Sequence, residues 1–494
     1  MKFELSNKKS EYPEVMVFPI VQDGNQSAQI EKIAKRLRFS PEIIKNDFKA
    51  ALKECIPLYL KGNCKKIFFL GLGENPGFGE FVMAARSFIH NQKGKMPAVI
   101  GIDFNFVSGK TNPTTIEAFL NGAVLGKYNI NLYKTETKEA SEFSNGQASI
   151  RVFSTINIDK FEQIAKKAQV IGETQLRIFD LVNAAANKKT PQVLAKWAEE
   201  SAKSFGYHTN IFLGRENLEK LGTHALLAVN KGSDEPPALI VMEYKPKVAG
   251  NYPKIALVGK GVTFDTGGIS IKPSTGMHNM KSDMGGAAAV LGTMEAAARL
   301  GLPVHLVGIV PSTENCVDGA GTKPSDVFSS YSGKTIEMID TDAEGRLILA
   351  DGLSYAVKNY QPDTLIDLAT LTGSVIATLG YTAAGLFTNN DQLADKLYKV
   401  GKNCGERLWR LPLWDNYKDD LNSDVADIKN LSGKPVAGAI TAAKFLETFT
   451  EKHLCWAHLD IAGVAFSDSE FATMKSGTAF GVRLLIDYLG SIEN

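Results

Sequence analysis

Three acidic side chains, Asp340, Asp342 and Glu344, stand at alternate positions in the stretch MIDTDAEGRLILAD. They follow an apolar segment that predicts a strand and precede a segment that predicts a helix. Carboxylates crowded in this way repel one another and raise each other's pKa unless a cation neutralises them. The pattern therefore favours a bound metal ion. Helix capping by Asp342 is the alternative, because a carboxylate stabilises the positive end of a helix.

A second charged stretch, VGKGVTFDTGGISIKP, places Lys260, Asp265 and Lys272 among glycines and apolar residues, directly after a predicted strand. A loop at the carboxyl end of a parallel strand is where open α/β sheets bind ligands, and glycine permits close backbone approach. The ordinary alternative is a pair of solvated lysines that contact Asp265. Asp283, in MKSDMGGAAA, immediately precedes a long predicted helix and could cap it.

Together these stretches supply enough carboxylates to hold two divalent ions. Two ions that share bridging carboxylates can activate a water and polarise the bond that it attacks, which predicts a hydrolase. Structural caps and salt bridges remain the alternative. The sequence contains no H-E-x-x-H zinc motif and no G-x-S-x-G nucleophile motif, and SGKT at 332–335 lacks the earlier glycine of a phosphate loop.

The elements around these residues alternate between strand and helix patterns. From Lys254, the strand IALVG, the helix MGGAAAVLGTMEAAARL, which ends before Gly301, and the strand VHLVGIV predict a βαβ unit and a parallel sheet covered by helices. Further strands are predicted for KTIEMI, DTLIDLA and WAHLDIAG, with a helix at AEGRLILADGLSYAV. The acidic stretches would then lie at neighbouring strand ends.

The first part of the chain, to about Ser154, mixes short apolar runs with Lys-rich amphipathic segments and predicts a smaller α/β domain. Helical spacing of apolar residues after it predicts a long connecting helix. The expected fold class is α/β, with an N-terminal α/β domain over 1–158, a connecting helix over 159–184, and a larger C-terminal catalytic domain over 185–494 that has a mostly parallel central sheet.

The composition predicts an ordinary soluble protein of the cytoplasm. The 494 residues include 55 Lys+Arg and 54 Asp+Glu, a net charge of +1, and 44% are hydrophobic, which excludes disorder as the main state and disfavours nucleic acid as a partner. Five cysteines, odd in number and far apart, indicate free thiols in a reducing compartment. No apolar run reaches the about 18 residues of a membrane span, and no secretory signal is recognised at the start.

The same stretches resemble those of the leucyl (cytosol) aminopeptidases, a family of two-metal exopeptidases. DTDAEGRL at 340–347 differs in one residue from the family signature NTDAEGRL, and VGKGVTFDTGGISIKP and MKSDMGGAAA are similar to its two metal-site stretches. The resemblance continues through SDVADIKN, AGAITAAKFL, WAHLDIAG and GVRLL, and covers about residues 254–485. Asp340 stands where the family has asparagine and is not expected to be a ligand. LVNAAANKKTP has alanine where the family has N-x-P-x-N.

The resemblance implies a metal-dependent aminopeptidase that removes the N-terminal residue of a peptide with two divalent ions, Mn or Zn, in each subunit. One ion would bind Lys260, Asp265, Asp283 and Glu344, and the other would bind Asp265, Asp342 and Glu344. Lys272 would polarise the scissile carbonyl. Arg346 would hold a bicarbonate that relays a proton from the attacking water.

By the same resemblance, backbone carbonyls near the loop TLTG, including that of Leu371, would accept hydrogens from the free amino terminus of the substrate. An apolar pocket that suits leucine or methionine would be lined by Met280, Thr370, Gly373 and Ala462. The family forms hexamers, so a homohexamer is expected. Two other functions stay open: a two-metal hydrolase of another substrate, such as a phosphoester, and a non-catalytic DNA-binding or chaperone-like assembly.

Overall fold

The computed structural model of the chain describes residues 1–107, 112–136, 141–143, 148–472 and 474–492. It divides into two compact units, Met1–Leu176 and Arg177–Asn494. The boundary falls inside a single helix of 26 residues, Ile158–Asn183. No helix of the described residues is both long enough and apolar enough to cross a membrane.

The first unit is an α/β sheet structure. Its described strands are β1 (Lys2–Ser6), β2 (Val15–Ile20), β3 (Cys55–Tyr59), β4 (Lys66–Gly71), β5 (Val99–Asp103) and β6 (Ser149–Phe153). Its described helices are α1 (Gln26–Leu37), α2 (Glu42–Lys45), α3 (Phe78–Gln92), α4 (Pro113–Leu125) and the first part of α5 (Ile158–Asn183). The strand order is β1-β6-β5-β2-β4-β3, and all pairs are parallel except β3–β4. All six residues of β2 are buried, as expected for a strand that is covered on both faces.

The second unit contains the acidic stretches. Its described strands are β7 (His208–Leu213), β8 (Ala238–Tyr244), β9 (Lys254–Gly259), β10 (Gly261–Asp265), β11 (His305–Asn315), β12 (Val327–Ser329), β13 (Thr335–Glu337), β14 (Thr364–Ala369), β15 (Ala384–Thr388), β16 (Leu408–Arg410), β17 (Ile428–Lys429) and β18 (Trp456–Asp460). Its described helices after α5 are α6 (Pro191–Phe205), α7 (Arg215–Leu221), α8 (His224–Asn230), α9 (Gly285–Leu300), α10 (Gly345–Tyr360), α11 (Gly373–Leu379), α12 (Asp391–Cys404), α13 (Gly438–Glu447) and α14 (Val482–Gly490).

The larger sheet of this unit has the order β16-β15-β18-β14-β9-β11-β8-β7, with β10 beside β11. Its centre, β18-β14-β9-β11, is parallel, and the antiparallel pairs β15–β18, β11–β8 and β8–β7 lie to either side. The predicted α/β fold with a mostly parallel central sheet is confirmed. One local prediction is wrong: Gly261–Asp265 is a strand that pairs with β11, where the sequence indicated a loop.

Helix α9 packs against the central sheet at very short range. A Cβ on Gly286 would lie 2.0 Å from the carbonyl oxygen of Leu368 at the end of β14, so this position tolerates only glycine. The amide of Ala287 also donates to the carbonyl of Lys260, directly after β9, at 2.8 Å. These contacts bring the segment before α9, which carries Asp283, to the carboxyl ends of β9 and β14.

Asp351 of α10 binds backbone amides of α8 and of the loop at Tyr331. Its carboxylate is fully buried and accepts hydrogen bonds from the backbone amides of Leu226, in the first turn of α8, at 2.8 Å and of Tyr331 at 2.7 Å. Asp351→Ala is expected to lower the unfolding free energy by about 2–4 kcal/mol, because two buried N–H groups lose their acceptor. Urea denaturation of the metal-free protein would measure the loss.

A pH series tests the same residue further. Burial outweighs the amide contacts and raises the pKa of Asp351 to about 7, above its value of about 3.9 in the unfolded chain. The folded state therefore retains a proton that the unfolded state loses, and this contribution to stability declines as the pH rises from about 4 to 7. Asp351→Asn should lack that decline, whereas an identical pH profile in both proteins would contradict the assignment.

Candidate metal centre

Three carboxylates converge at one edge of the larger sheet. Asp265 ends strand β10, Asp342 lies between β13 and α10, and Glu344 immediately precedes α10. One oxygen from each lies within 4.8 Å of the others. Asp265 and Glu344 are each 2% exposed, whereas Asp342 is open to solvent. Three of the residues predicted to bind metal are therefore close together in the structure.

Lys260 and Asp283 extend this cluster into the interior. The Lys260 ammonium lies 2.8 Å from Asp283 Oδ2 and 2.8 Å from Glu344 Oε1, and it donates to the carbonyl of Thr370 at 3.0 Å. A Cβ on Gly345 would lie 2.6 Å from this nitrogen, so the glycine makes room for the lysine. Lys260 is 3% exposed, and the alternative of a solvated loop lysine is wrong for it.

Lys272 neutralises the other two carboxylates. Its ammonium lies 2.8 Å from Asp265 Oδ2 and forms an ion pair with Asp342 Oδ1. Each of the two lysines thus contacts two carboxylates. The capping interpretation of Asp283 and Asp342 is wrong, because neither α9 nor α10 has a side-chain capping hydrogen bond at its start.

The electrostatics of the cluster call for additional positive charge. Burial raises the pKa of both Asp283 and Glu344, and the neighbouring carboxylates add to this effect. For Lys260 burial acts to lower the pKa, but Asp283, Glu344 and Asp265 overcome it and the pKa is raised. Despite the short distances to Lys260, Asp283 Oδ2 and Glu344 Oε1 accept no hydrogen bond of normal geometry from the described residues.

Asn315 and Thr341 orient Asp265, and neither was predicted from the sequence. Asp265 Oδ1 accepts from the Asn315 side-chain amide at 2.8 Å and from the Gly267 backbone amide at 2.9 Å. The same Asn315 amide donates to the carbonyl of Thr341 at 3.0 Å. Asp265 Oδ2 is thereby turned toward Lys272. The sequence feature that could have identified Asn315 is its position as a polar residue at the end of β11, which extends the predicted strand VHLVGIV.

Arg346 is buried in the first turn of α10. It is 5% exposed, donates to the carbonyl of Asn430 at 2.7 Å, and has its pKa lowered to about 10 by burial. Asn430, in the motif SDVADIKN, also donates to the carbonyl of Asp340 at 2.7 Å and accepts from the amide of Ile339 at 2.7 Å. Asp340 accepts from the amide of Asp342 at 2.8 Å and is a loop-forming residue. Asn430 is a second supporting residue that sequence reasoning did not identify.

The loop between β14 and α11 borders the cluster. Thr370 Oγ1 donates to Asp283 Oδ1 at 2.7 Å. Asp460, at the end of β18, accepts from the amide of Leu371 at 3.2 Å and from the hydroxyl of Thr372 at 2.7 Å. The carboxylate of Asp460 therefore fixes the loop that carries the predicted substrate contacts, although in the sequence this residue stands out only as part of the motif WAHLDIAG.

Buried polar side chains of β14 and β18 contact each other in the part of the sheet that precedes Asp460. His458 Nδ1 lies 2.6 Å from Asp367 Oδ1, and the Trp456 indole donates to Asp367 Oδ2 at 2.7 Å. His458 is fully buried; burial acts to lower its pKa, but Asp367 and Asp460 overcome this and the pKa is raised. The contact between His458 and Asp367 links β18 to β14 shortly before Asp460.

A cavity of about 530 Å³ contains the predicted site residues with one exception. The predicted residues on its wall are Lys260, Asp265, Lys272, Met280, Asp283, Asp342, Glu344, Thr370, Leu371, Gly373 and Ala462. The exception is Arg346, which is not among the described residues that line this cavity. The wall also includes Ile376, Tyr381, Phe466 and Lys475. A cluster of acidic oxygens beside apolar side chains can bind metal ions and a substrate with an apolar group.

Comparison with known proteins places this arrangement in a family. The profile described as the cytosol aminopeptidase family, catalytic domain, matches residues 178–486. The chain belongs to this family. Its activity is accordingly that of an aminopeptidase, a hydrolase of peptides, and the predictions of family and enzyme class are confirmed.

The similar proteins and solved structures match between 76% and 99% of this chain. A protein described as a probable cytosol aminopeptidase of Chlorobium limicola is 42% identical over 498 aligned positions, which cover 96% of each chain. Another, from Geobacter sp. strain M21, is 47% identical over 76% of each chain. A mutant tomato leucine aminopeptidase superposes with a TM-score of 0.88 at 29% identity, over 99% of this chain and 96% of that one. The bottromycin maturation enzyme BotP in complex with Mn gives 0.84 at 31% identity, over 97% and 99%.

Proposed function

We propose that the chain is a metal-dependent aminopeptidase that hydrolyses the first peptide bond of peptides with a free amino terminus and an apolar first residue, such as leucine or methionine. The observation that carries this proposal is that four clustered carboxylates share, among the described residues, the ammonium groups of only two lysines, Lys260 and Lys272. Asp283 Oδ2 and Glu344 Oε1 add to it, because each faces the Lys260 ammonium at 2.8 Å without accepting a hydrogen bond of normal geometry from the described residues. Oxygen-rich donor sets of this kind suit hard or borderline divalent ions.

Two ions are proposed, each bound by its own group of residues from this cluster. One group is Lys260, Asp265, Asp283 and Glu344, and the other is Asp265, Asp342 and Glu344. Manganese or zinc is proposed, and the solved complex of BotP with Mn supports this choice. Lys260 must lose a proton to become a ligand, and the repulsion of nearby dications would lower its pKa. The bound ions would supply an activated water and polarisation of the scissile carbonyl.

The remaining residues act on the substrate. Lys272, once released from Asp265 and Asp342, would donate to the scissile carbonyl oxygen and stabilise the charge that develops there. The carbonyl of Leu371, whose backbone amide donates to Asp460, would accept a hydrogen from the substrate amino group. Arg346 would hold a bicarbonate as a proton relay. Because the Arg346 side chain is buried and does not line the cavity, this assignment requires a path by which bicarbonate reaches the guanidinium group.

The first side chain of the substrate would occupy an apolar part of the cavity. The residues proposed for this pocket are Met280, Thr370, Gly373 and Ala462, and Ile376 and Phe466 adjoin them on the wall. Their methyl, thioether and ring groups favour leucine and methionine over charged residues. The domain limits of 1–158, 159–184 and 185–494, the cytoplasmic location and the homohexamer stay predictions, and nucleic acid and membranes are not proposed as partners.

Removal of metal tests the proposal directly. Treatment with a chelator is expected to lower the hydrolysis of leucine p-nitroanilide by about 10²-fold or more, and Mn²⁺, Zn²⁺ or Co²⁺ should restore it. Elemental analysis of the restored enzyme should find two ions per chain. Since the ammonium of Lys260 must lose its proton on uptake, metal affinity should rise with pH.

Two outcomes would contradict the proposal. Full activity in protein shown by elemental analysis to be metal-free would remove the need for ions. Faster turnover of a phosphate monoester than of leucine p-nitroanilide by the restored enzyme would favour the other two-metal hydrolase. A panel of aminoacyl p-nitroanilides with leucine, methionine, glutamate and lysine as first residue would then measure the apolar preference.

A further inference from the structure

Lys475 and Tyr381 contact each other on the wall of the cavity that holds the acidic cluster. The Lys475 ammonium lies 4.1 Å from the centroid of the Tyr381 ring. Both side chains line the cavity, Tyr381 is 55% exposed, and Lys475 is exposed as well. The face of an aromatic ring attracts an ammonium group and restricts its position, but leaves its full charge in place.

The charge of Lys475 is unbalanced, unlike that of the other lysines on this wall. Lys260 and Lys272 each have carboxylate oxygens at 2.8 Å. Lys475 has no carboxylate oxygen within 4.0 Å among the described residues, and its contact with Tyr381 is the interaction that places it. A cation held at a cavity wall without an acidic partner is suited to bind an anionic group of a ligand.

The size of the cavity limits which anion this can be. About 530 Å³ is enough to enclose a drug-sized ligand, and an extended peptide advances about 3.3–3.6 Å per residue. A dipeptide or tripeptide whose first residue lies at the acidic cluster therefore ends within the cavity or at its wall. Its terminal carboxylate is then a negative charge available to Lys475 on the same cavity wall.

We propose that Lys475 binds a carboxylate of the substrate located after the scissile bond and so directs the enzyme toward peptides that carry a negative charge close to that bond. The inference rests on the proposed aminopeptidase function and specifies its substrate class. The carboxylate can be the C-terminus of a dipeptide or tripeptide, or an acidic side chain at the second residue. Lys475 is a specificity-determining residue in this proposal, and the acidic cluster carries out hydrolysis.

The test compares matched substrates with and without the charge. The ratio of kcat/KM for Leu-Gly to that for Leu-Gly amide reports on the terminal carboxylate, and the ratio for Leu-Asp amide to Leu-Asn amide reports on an acidic side chain. Lys475→Met is expected to lower at least one of these ratios by about three- to tenfold, mainly through KM. Lys475→Arg should keep the ratio, and Lys475→Glu should lower it further.

Lys399 supplies a matched control. It is an exposed lysine of α12 that does not line the cavity, so Lys399→Met changes the net charge by the same amount and should leave both ratios unchanged. Added salt should weaken the wild-type discrimination and leave that of Lys475→Met nearly constant.

The outcomes separate this inference from the function on which it rests. Unchanged ratios in Lys475→Met, or an equal fall for charged and amidated substrates, would overturn the inference while leaving the aminopeptidase intact. A metal-loaded wild-type protein that hydrolyses neither Leu-Gly amide nor leucine p-nitroanilide would overturn the proposed function, and the inference with it.

Discussion

Glu344→Gln is expected to lower kcat/KM for leucine p-nitroanilide by at least about 10³-fold, equivalent to about 4 kcal/mol of transition-state stabilisation. Glu344 belongs to both proposed ligand groups and is 2% exposed. Glutamine retains the size of the side chain but removes its charge, and its amide group would direct hydrogens toward the cations. Activity under saturating Mn²⁺ and metal content by elemental analysis should fall together.

Stability measurements distinguish this loss from misfolding. Because burial and the neighbouring carboxylates raise the pKa of Glu344, the metal-free fold does not favour its charge. The neutral glutamine should therefore unfold at the same urea concentration as wild type or at a higher one. Asp340→Asn is the control: asparagine can accept from the Asp342 amide as Asp340 does, and activity should change less than about twofold. A correctly folded Glu344→Gln enzyme with wild-type turnover would refute the metal centre.

The sequence predicted the members of the cluster better than their contacts. Asp342 and Glu344 are close in the chain, so their crowding could be inferred from spacing alone, whereas Asp340, the third carboxylate of that pattern, accepts from the Asp342 amide and is not part of the cluster. The meeting of Lys260 with Asp283 depends on the short approach of α9 to the sheet, which Gly286 permits. The sequence shows that a glycine occurs in the predicted helix, but it does not show which strand packs against that glycine. Helix capping was the wrong alternative because Asp283 and Asp342 form ion pairs with Lys260 and Lys272 instead.

Helices and strands with a long apolar pattern were predicted correctly. The prediction failed where a segment forms a strand only because it pairs with a neighbouring strand. Helix α9 and strand β14 follow directly from their periodicity. Gly261–Asp265 has three polar or glycine positions in five residues and indicated a loop. It forms a strand because β11 extends to Asn315, beyond the Ile309–Val258 pair where it leaves β9, and offers a free edge. The supporting residues Asn315 and Asn430 were missed for the same reason, since their roles come from partners distant in the chain.

Lys272→Met is expected to lower kcat by about 10²–10³-fold and to leave the metal content at the wild-type level. In the metal-free protein the Lys272 ammonium contacts Asp265 and Asp342, two proposed ligands, and so competes with an ion for the same oxygens. Methionine keeps the length of the side chain and removes the competing charge. Metal affinity should consequently equal or exceed that of wild type, as measured by titration of the metal-free protein with Mn²⁺.

In the absence of metal, the same substitution should destabilise the fold. Without the ammonium, Asp265 and Asp342 repel each other unscreened, so urea should unfold metal-free Lys272→Met more easily than metal-free wild type, and Mn²⁺ should remove the difference. Lys434→Met is the matched control, because Lys434 pairs with Asp420 outside the cavity, and its turnover and metal affinity should be unchanged. If Lys272→Met instead loses metal and activity in parallel, Lys272 supports the centre structurally and the carbonyl-polarising role assigned to it is wrong.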